Sequence, residues 1–221
     1  MMERFICLII GYAFGLFQTS YIIGKAHHID IREVGSGNAG STNTLRTFGT
    51  KAGLLTLLLD MLKCLLAVGT VHFLFQKSGH DILPLLKIYA SAGCILGHNY
   101  PFYLNFRGGK GIAASCGMIL ALDWRLFFTV MPLFFLIFFT THYVSLASLI
   151  SYAFAFLVLT FFGALGWYGM NLAHTIEMDV VMLCLVLLAV FKHRENIRRL
   201  MTGTERKTYL GHKKTDTGSE K

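Results

Sequence analysis

Residues 112–139 read IAASCGMILALDWRLFFTVMPLFFLIFF, and the way this stretch divides decides the fold. As one piece it is a single long apolar helix. Divided at Asp123-Trp124-Arg125 it is two. The part before the charged triplet, residues 112–122, is then too short to span a hydrocarbon core alone, which takes about 20 helical residues.

The rest of the chain supplies the context. It has 221 residues, 54% hydrophobic and only 14% charged, with 19 phenylalanines. Soluble domains carry about a quarter charged residues, so this composition points to a bilayer as solvent. Further apolar runs cover residues 5–23, 53–75, 82–96, 143–162 and 178–191. The first reads as a retained helix rather than a signal peptide: its apolar core is long, and Gly24-Lys25-Ala26 leads straight into a polar loop instead of a cleavage site. Residues 163–177 read as an amphipathic, glycine-containing loop. No internal repeat is visible.

Charge placement resolves the division. The net charge is +8, and fifteen of the twenty Lys and Arg fall in residues 24–51, 107–110 and 192–221. Such clustering fits cytoplasmic loops under the positive-inside rule and argues against a nucleic-acid partner. Three cytoplasmic segments need an even number of crossings between each pair. A break at 123–125 meets that condition and an unbroken 112–139 does not. The expected fold is an all-α polytopic membrane protein of about seven transmembrane helices, some short, with the N-terminus outside, the C-terminus cytoplasmic and Trp124 at the outer interface. A five-helix version with short re-entrant segments is the alternative. Cys7, Cys64, Cys94, Cys116 and Cys184 all sit in apolar runs without CxxC spacing. They read as small buried hydrophobes rather than a disulfide framework or a zinc site.

The three basic segments also hold the polar motifs. The first, residues 35–46, is GSGNAGSTNTLR. Glycine lets the chain approach a ligand closely, and successive N–H groups can form a concavity for an anion. Gly35, Ser36, Gly37, Asn38, Thr42, Asn43 and Arg46 are the candidate binding groups here. The second, residues 97–111, is GHNYPFYLNFRGGKG, leading into the short apolar segment. A glycine loop and a lysine at a helix N-terminus suit a phosphate, although the Walker pattern is not matched. Its candidates are His98, Gly108, Gly109, Lys110 and Gly111. The third, residues 193–205, is HRENIRRLMTGTE. His193, Asn196 and Arg199 recur every three residues and share one helical face. A basic patch against lipid headgroups would explain Arg194 and Arg198, but not His193 or Asn196.

Together, in order and spacing, the three motifs resemble the bacterial acyl-phosphate:glycerol-3-phosphate acyltransferase family, often called PlsY. Its pattern is GSGNxGxTNxxR, GHxxPxFxxFxGGKG and HxxNxxRLxxGxE. The departures are small: Ser41, Arg107, Ala114 and Cys64 replace residues common in that family. The resemblance implies transfer of an acyl group from acyl phosphate to the primary hydroxyl of glycerol-3-phosphate, giving lysophosphatidic acid and phosphate, the first step of bacterial phospholipid synthesis. It implies an integral membrane acyltransferase domain over residues 1–208, a polar basic tail at 209–221, and a bacterial inner-membrane location. It places Ser36, Arg46, Lys110, His193 and Asn196 at the catalytic centre. Gly35, Gly37, Asn38, Thr42, Asn43, His98, Gly108, Gly109, Gly111 and Arg199 would bind substrate. No cofactor and no metal are implied. The partners would be the two substrates, membrane lipid and a soluble enzyme that makes the acyl phosphate. Asp60 and Lys63, inside the second apolar run, read as an ion pair, since charges at that depth are costly and usually paired. A transporter for a phosphorylated solute is the rival reading. It calls for binding groups near the midplane, whereas these motifs gather on one predicted face.

Overall fold

The computed structural model describes residues 1–77 and 81–209, so residues 210–221 of the expected tail lie outside it. Among the described residues all of the regular secondary structure is helical. In order the helices are α1 (Met2–Gly15), α2 (Thr19–Ala26), α3 (Ser41–Phe48), α4 (Thr50–Phe75), α5 (Leu83–Asn99), α6 (Ile112–Leu122), α7 (Trp124–Thr141), α8 (Val144–Ala164), α9 (Leu172–Lys192) and α10 (Arg194–Met201).

The break at Asp123 is present, and its chemistry is local. Asp123 is extended, with φ −160° and ψ 122°, and its Oδ1 caps α7 by accepting the Arg125 N–H at 2.8 Å. The Arg125 guanidinium folds back onto the same carboxylate at 2.9 and 2.6 Å and lies 4.1 Å over the Trp167 ring. A side-chain cap and a charge pair end one helix and start the next.

Five segments are long and apolar enough to cross a bilayer: Met2–Ala26, Thr50–Phe75, Trp124–Thr141, Val144–Ala164 and Leu172–Lys192. With 17 and 11 residues, α5 and α6 are shorter. The successive long elements run back and forth between two ends of one bundle. At one end Arg4 in α1 pairs with Glu177 in α9, which also accepts from Tyr89 of α5. At the other end the polar motif segments meet.

Two helices differ from expectation. The run at 5–23 is two helices, with a break at Leu16-Phe17-Gln18. Gln18 is buried, and its Nε2 donates to the carbonyls of Gly15 and His98 at 3.2 and 3.1 Å. The Lys63 ammonium donates to the Phe17 carbonyl at 2.8 Å. The break's own Gln18 and Lys63 of α4 therefore satisfy carbonyls that the break frees, as any broken helix at membrane depth requires. α9 begins at Leu172, earlier than its apolar run, because Asn171 Oδ1 caps it by accepting the His174 N–H at 2.9 Å.

The most intimate helix pair is α1 with α5. Gly11 and Gly15 face Gly93 and Gly97, two small-xxx-small pairs set against one another. A Cβ on Gly11 would run into the Ala90 carbonyl, one on Gly93 into that of Leu8, and one on Gly97 into that of Tyr12. Without a hydrophobic drive between helices in lipid, backbone-to-backbone packing of this kind holds them together.

The expectation that follows is a contrast within one residue type. Gly97→Leu forces backbone apart and should cost at least about 1–3 kcal/mol, the usual range for overpacking. Gly69 lies in α4 with nothing within 4 Å of its would-be Cβ. Gly69→Ala should hold or raise stability by up to about 1 kcal/mol through helix propensity. Thermal unfolding of the two variants in one detergent measures both.

Candidate active site

The first motif is a loop pinned by a buried amide. Gly35 and Gly37 have φ of +63° and +71°, which other residues rarely adopt. Asn43, on α3, accepts the Ser36 backbone N–H at 2.9 Å through Oδ1 and donates through Nδ2 to the carbonyls of Ile31 and Val34, both at 3.0 Å. All of its amide is engaged in shaping the loop. Gly35, Ser36 and Gly37 are exposed, with Asn38 and Thr42 half-buried. The Arg46 guanidinium, one turn further along α3, donates to the Arg206 carbonyl at 3.0 Å and to Thr208 Oγ1 at 2.6 Å.

The second motif folds back on the end of α5. The N–H groups of Gly108 and Gly109 donate to the carbonyls of Asn99 and His98 at 3.2 and 3.1 Å. Gly109 is wedged: a Cβ there would overlap His98 Nε2 and come within 2.6 Å of the Ala39 carbonyl of the first motif. Gly111, at φ +81°, caps α6, so the loop ends at a helix N-terminus whose first N–H groups have no intrahelical partner.

The third motif converges on the second. The Lys110 ammonium donates to Asn196 Oδ1. Asn196 Nδ2 donates to Glu205 Oε1 at 2.6 Å, which also accepts from Ser145 Oγ of α8 at 2.8 Å. Glu205 Oε2 accepts from Arg199 Nε at 2.8 Å. Lys192 donates to the Asn99 carbonyl at 3.4 Å. The segment after α10 thus straps the site: Glu205 holds Asn196 and Arg199, Thr208 holds Arg46, and the Thr208 N–H donates to the His142 carbonyl at 2.9 Å. Burial pushes the Glu205 carboxyl up, but its bonds from Arg199, Asn196 and Ser145 outweigh this and hold it ionised.

The cations outnumber the carboxylate at the centre. Burial, partly offset by Glu205, pushes the Lys110 ammonium down to about 8. His193 is buried at the start of α10. Its Nδ1 lies 2.8 Å from the Ala189 carbonyl. A carbonyl can only accept, so Nδ1 carries the proton and Nε2 keeps its lone pair. Burial and the neighbouring Lys110 charge push His193 down to about 4, so it is neutral near pH 7.

Of the anticipated residues, Lys110, His193, Asn196 and Arg199 are brought into one cluster, with Arg46 held by the same strap. His98 lies beneath Gly109, and the Ser36 side chain stands on the exposed loop. Glu205, Ser145, Thr208 and Lys192 were missing from the anticipated set. Glu205 closes the third motif and was therefore in view; Ser145 and Thr208 carry no sequence signal. Beside the cluster, from the first residue of α6, runs a narrow, half-open apolar crevice. Ile112, Ile119, Val130, Phe134, Tyr152 and Ala155 are among its walls.

A glycine-loop site rich in cations at one end of an apolar helix bundle, with an apolar crevice beside it, marks an integral membrane protein whose polar end suits an anion. The chain belongs to the glycerol-3-phosphate acyltransferase family, which it matches over residues 5–203. It is 40% identical over 211 residues to the glycerol-3-phosphate acyltransferase of Clostridioides difficile, covering 95% of this chain and 96% of that one. It is 41% identical over 207 residues to that of Alkaliphilus metalliredigens, covering 93% and 96%. Its fold is similar to crystal structures of PlsY (YgiH), an integral membrane glycerol 3-phosphate acyltransferase. The TM-score is 0.80 against the glycerol 3-phosphate form, at 30% identity over 93% of this chain and 96% of that one. Against the lysophosphatidic acid form it is 0.77, also at 30% identity, over 93% and 95%.

Glu205→Ala should remove the hub of the strap and lower stability by about 1.5–3 kcal/mol, the scale of a hydrogen bond to a charged group. Glu195→Ala is the control: its carboxylate is 73% exposed and 3.9 Å from Arg199, so its removal should cost under about 0.5 kcal/mol. Equal losses in the two variants on thermal unfolding would show that Glu205 is not the hub.

Proposed function

We propose that the protein transfers an acyl group from acyl phosphate to the primary hydroxyl of glycerol-3-phosphate, as a multi-pass enzyme of a bacterial cytoplasmic membrane. The observation that carries this reading is continuity. Gly111 caps α6, and the next residue, Ile112, already lines the apolar crevice. One ligand can therefore set a phosphate on the loop and an acyl chain in the slot. Acyl phosphate has that shape.

In this reading Lys110, Arg46 and Arg199 neutralise the two phosphates, while the α6 N-terminus and glycine N–H groups face charge that develops on the carbonyl oxygen and leaving group. Ser36 and the first loop form a wall of the same site, with Asn38 and Thr42 as further donors. The glycerol-3-phosphate hydroxyl attacks the acyl carbonyl carbon. The new ester C–O bond forms, the C–O bond to phosphate breaks, and phosphate leaves with the bonding pair. His193 Nε2 accepts a hydrogen bond from the attacking hydroxyl and aims it. With a conjugate acid near 4 it is a weak base at neutral pH, so the hydroxyl proton passes to a phosphate oxygen and departs as hydrogen phosphate. Phosphate is a good leaving group, so positioning and charge stabilisation carry most of the rate. Asn196, clamped between Lys110 and Glu205, keeps the ammonium in place.

The seven-crossing arrangement belongs to the same reading. It puts the N-terminus outside, the three motif segments at the cytoplasmic face, the soluble acceptor arriving from the cytosol and the lipid product leaving sideways into the inner leaflet. A soluble enzyme would supply the donor.

The deciding assay is purified protein with glycerol-3-phosphate and, in turn, acyl phosphate, acyl-CoA and acyl carrier protein. Turnover with acyl phosphate alone is expected; turnover only with a thioester overturns the donor. The pH profile of kcat/KM follows from the two shifted groups. Lys110 loses its charge as pH rises through about 8, so kcat/KM should fall on an alkaline limb near 8 that Lys110→Arg moves upward. No limb from His193 should appear near 6.5, and His193→Gln, which can still accept a hydrogen bond, should keep more activity than His193→Ala. A wild-type limb near 6.5 that both variants abolish would make His193 the base. For topology, single cysteines at Glu33 and Arg107, in a background freed of the five native cysteines, should resist an impermeant thiol reagent in intact cells and react after permeabilisation. Both positions are exposed.

A further inference from the structure

Asp60 and Lys63 sit inside α4, buried at 1% and 4% exposure. As a pair that merely cancels charge, they would gain most from a two-pronged contact. The geometry is different. Asp60 Oδ2 has no hydrogen-bond partner among the described residues, while Lys63 Nζ reaches three groups, two of them outside α4. It lies 2.8 Å from Asp60 Oδ1, 2.8 Å from the Phe17 carbonyl at the break between α1 and α2, and 2.8 Å from His98 Nδ1 at the end of α5. Thr19 Oγ1, from α2, donates to the same Asp60 oxygen at 3.2 Å.

An ammonium has three N–H donors and no lone pair. Its three neighbours at hydrogen-bond distance must all accept. Carboxylate and carbonyl oxygens do so in any case; for His98 the condition selects one form. Nδ1 holds the lone pair, the ring is neutral, and the proton sits on Nε2. That nitrogen faces Gly109, where even a Cβ would overlap it, and the Ala39 carbonyl forms the opposite side of the wedge. His98 also holds this loop through its carbonyl, which accepts the Gly109 N–H at 3.1 Å.

We propose that Lys63, anchored by Asp60 and the Phe17 carbonyl, is a positioning residue. It fixes the tautomer and orientation of His98, so that Nε2–H is presented to the glycine loop where the first and second motifs meet. The consequence for the site, which rests on reading that loop as the phosphate cradle, is a neutral donor held beneath it, and a glycine backbone kept in one place without adding another full charge.

Two measurements test this. Protein labelled with ¹⁵N-histidine, in detergent, reports the protonation of each ring nitrogen, and His98 is assigned by its disappearance in His98→Gln. The expected wild-type signal is an unprotonated Nδ1 and a protonated Nε2; a protonated Nδ1 overturns the proposal. The second compares Lys63→Met with Asp60→Asn/Lys63→Met, the double change avoiding a lone buried carboxylate. In whichever variant folds, the His98 signal should lose its single tautomer and KM for glycerol-3-phosphate should rise at least about tenfold, the scale of a lost hydrogen bond in the site. A folded variant whose KM stays within about threefold of wild type, or whose His98 signal is unchanged, also overturns it. If neither variant folds, the wild-type spectrum decides. Failure of the wild type to transfer acyl groups would leave that spectrum untouched and would count against the proposed reaction instead.

Discussion

Everything at the polar end of the bundle depends on how closely α1 and α5 approach. Their glycines remove side-chain bulk from the contact, so backbone lies on backbone. That approach carries the broken end of α1 to the C-terminal turn of α5, where Gln18 can bond the Gly97 and His98 carbonyls. It also carries Phe17 to within reach of α4. A larger residue at any of these glycines would move the carbonyls that the buried polar side chains serve, and would leave donors and acceptors unmatched in a medium that has no water to replace them.

The site itself is held by the opposite kind of force. Glu205 sits among Lys110, Arg46 and Arg199, with the exposed Glu195 at the edge, too little negative charge to balance them. Uncompensated positive charge at a half-buried position is costly without an anion. The strap after α10 reduces that cost by tying the cations to Glu205 and to backbone oxygens, and the surplus leaves the cluster suited to an anion. Lys110 feels the balance most directly, since burial pulls its ammonium toward the neutral form while Glu205 holds it charged. Affinity for an anion and destabilisation of the empty site are thus the same electrostatic fact.

Much of this was legible in the sequence, and the residues show why. Asp123 and Arg125 interrupt an apolar run and carry their own cap, a local signal that needs no tertiary partner. The three motifs identified the polar end because their glycines, lysine and amides have little use in a lipid-facing helix. The break at 16–18 was hidden because Leu16 and Phe17 continue the apolar pattern. The polar residues that settle it, Gln18 and Thr19, find partners on α5 and α4, far along the chain. Asn43 stood among the candidate binding groups on the strength of its amide, yet that amide is consumed by the loop that carries it. Glu205, on the other hand, organises the cluster, but a carboxylate is not what charge complementarity to an anion would select among these cations.

The shortness of α6 has a consequence for the membrane itself. Eleven residues give a helix of about 16 Å, and its far end is marked by the charged turn at Asp123–Arg125, which belongs at a polar boundary. A helix of that length falls well short of a hydrocarbon layer of about 30 Å. If it crosses, the bilayer beside it must thin to meet a polar turn at each end, and lipid thickness becomes a variable of the protein's working environment: a thinner bilayer matches the helix, and a thicker one must deform further to meet it.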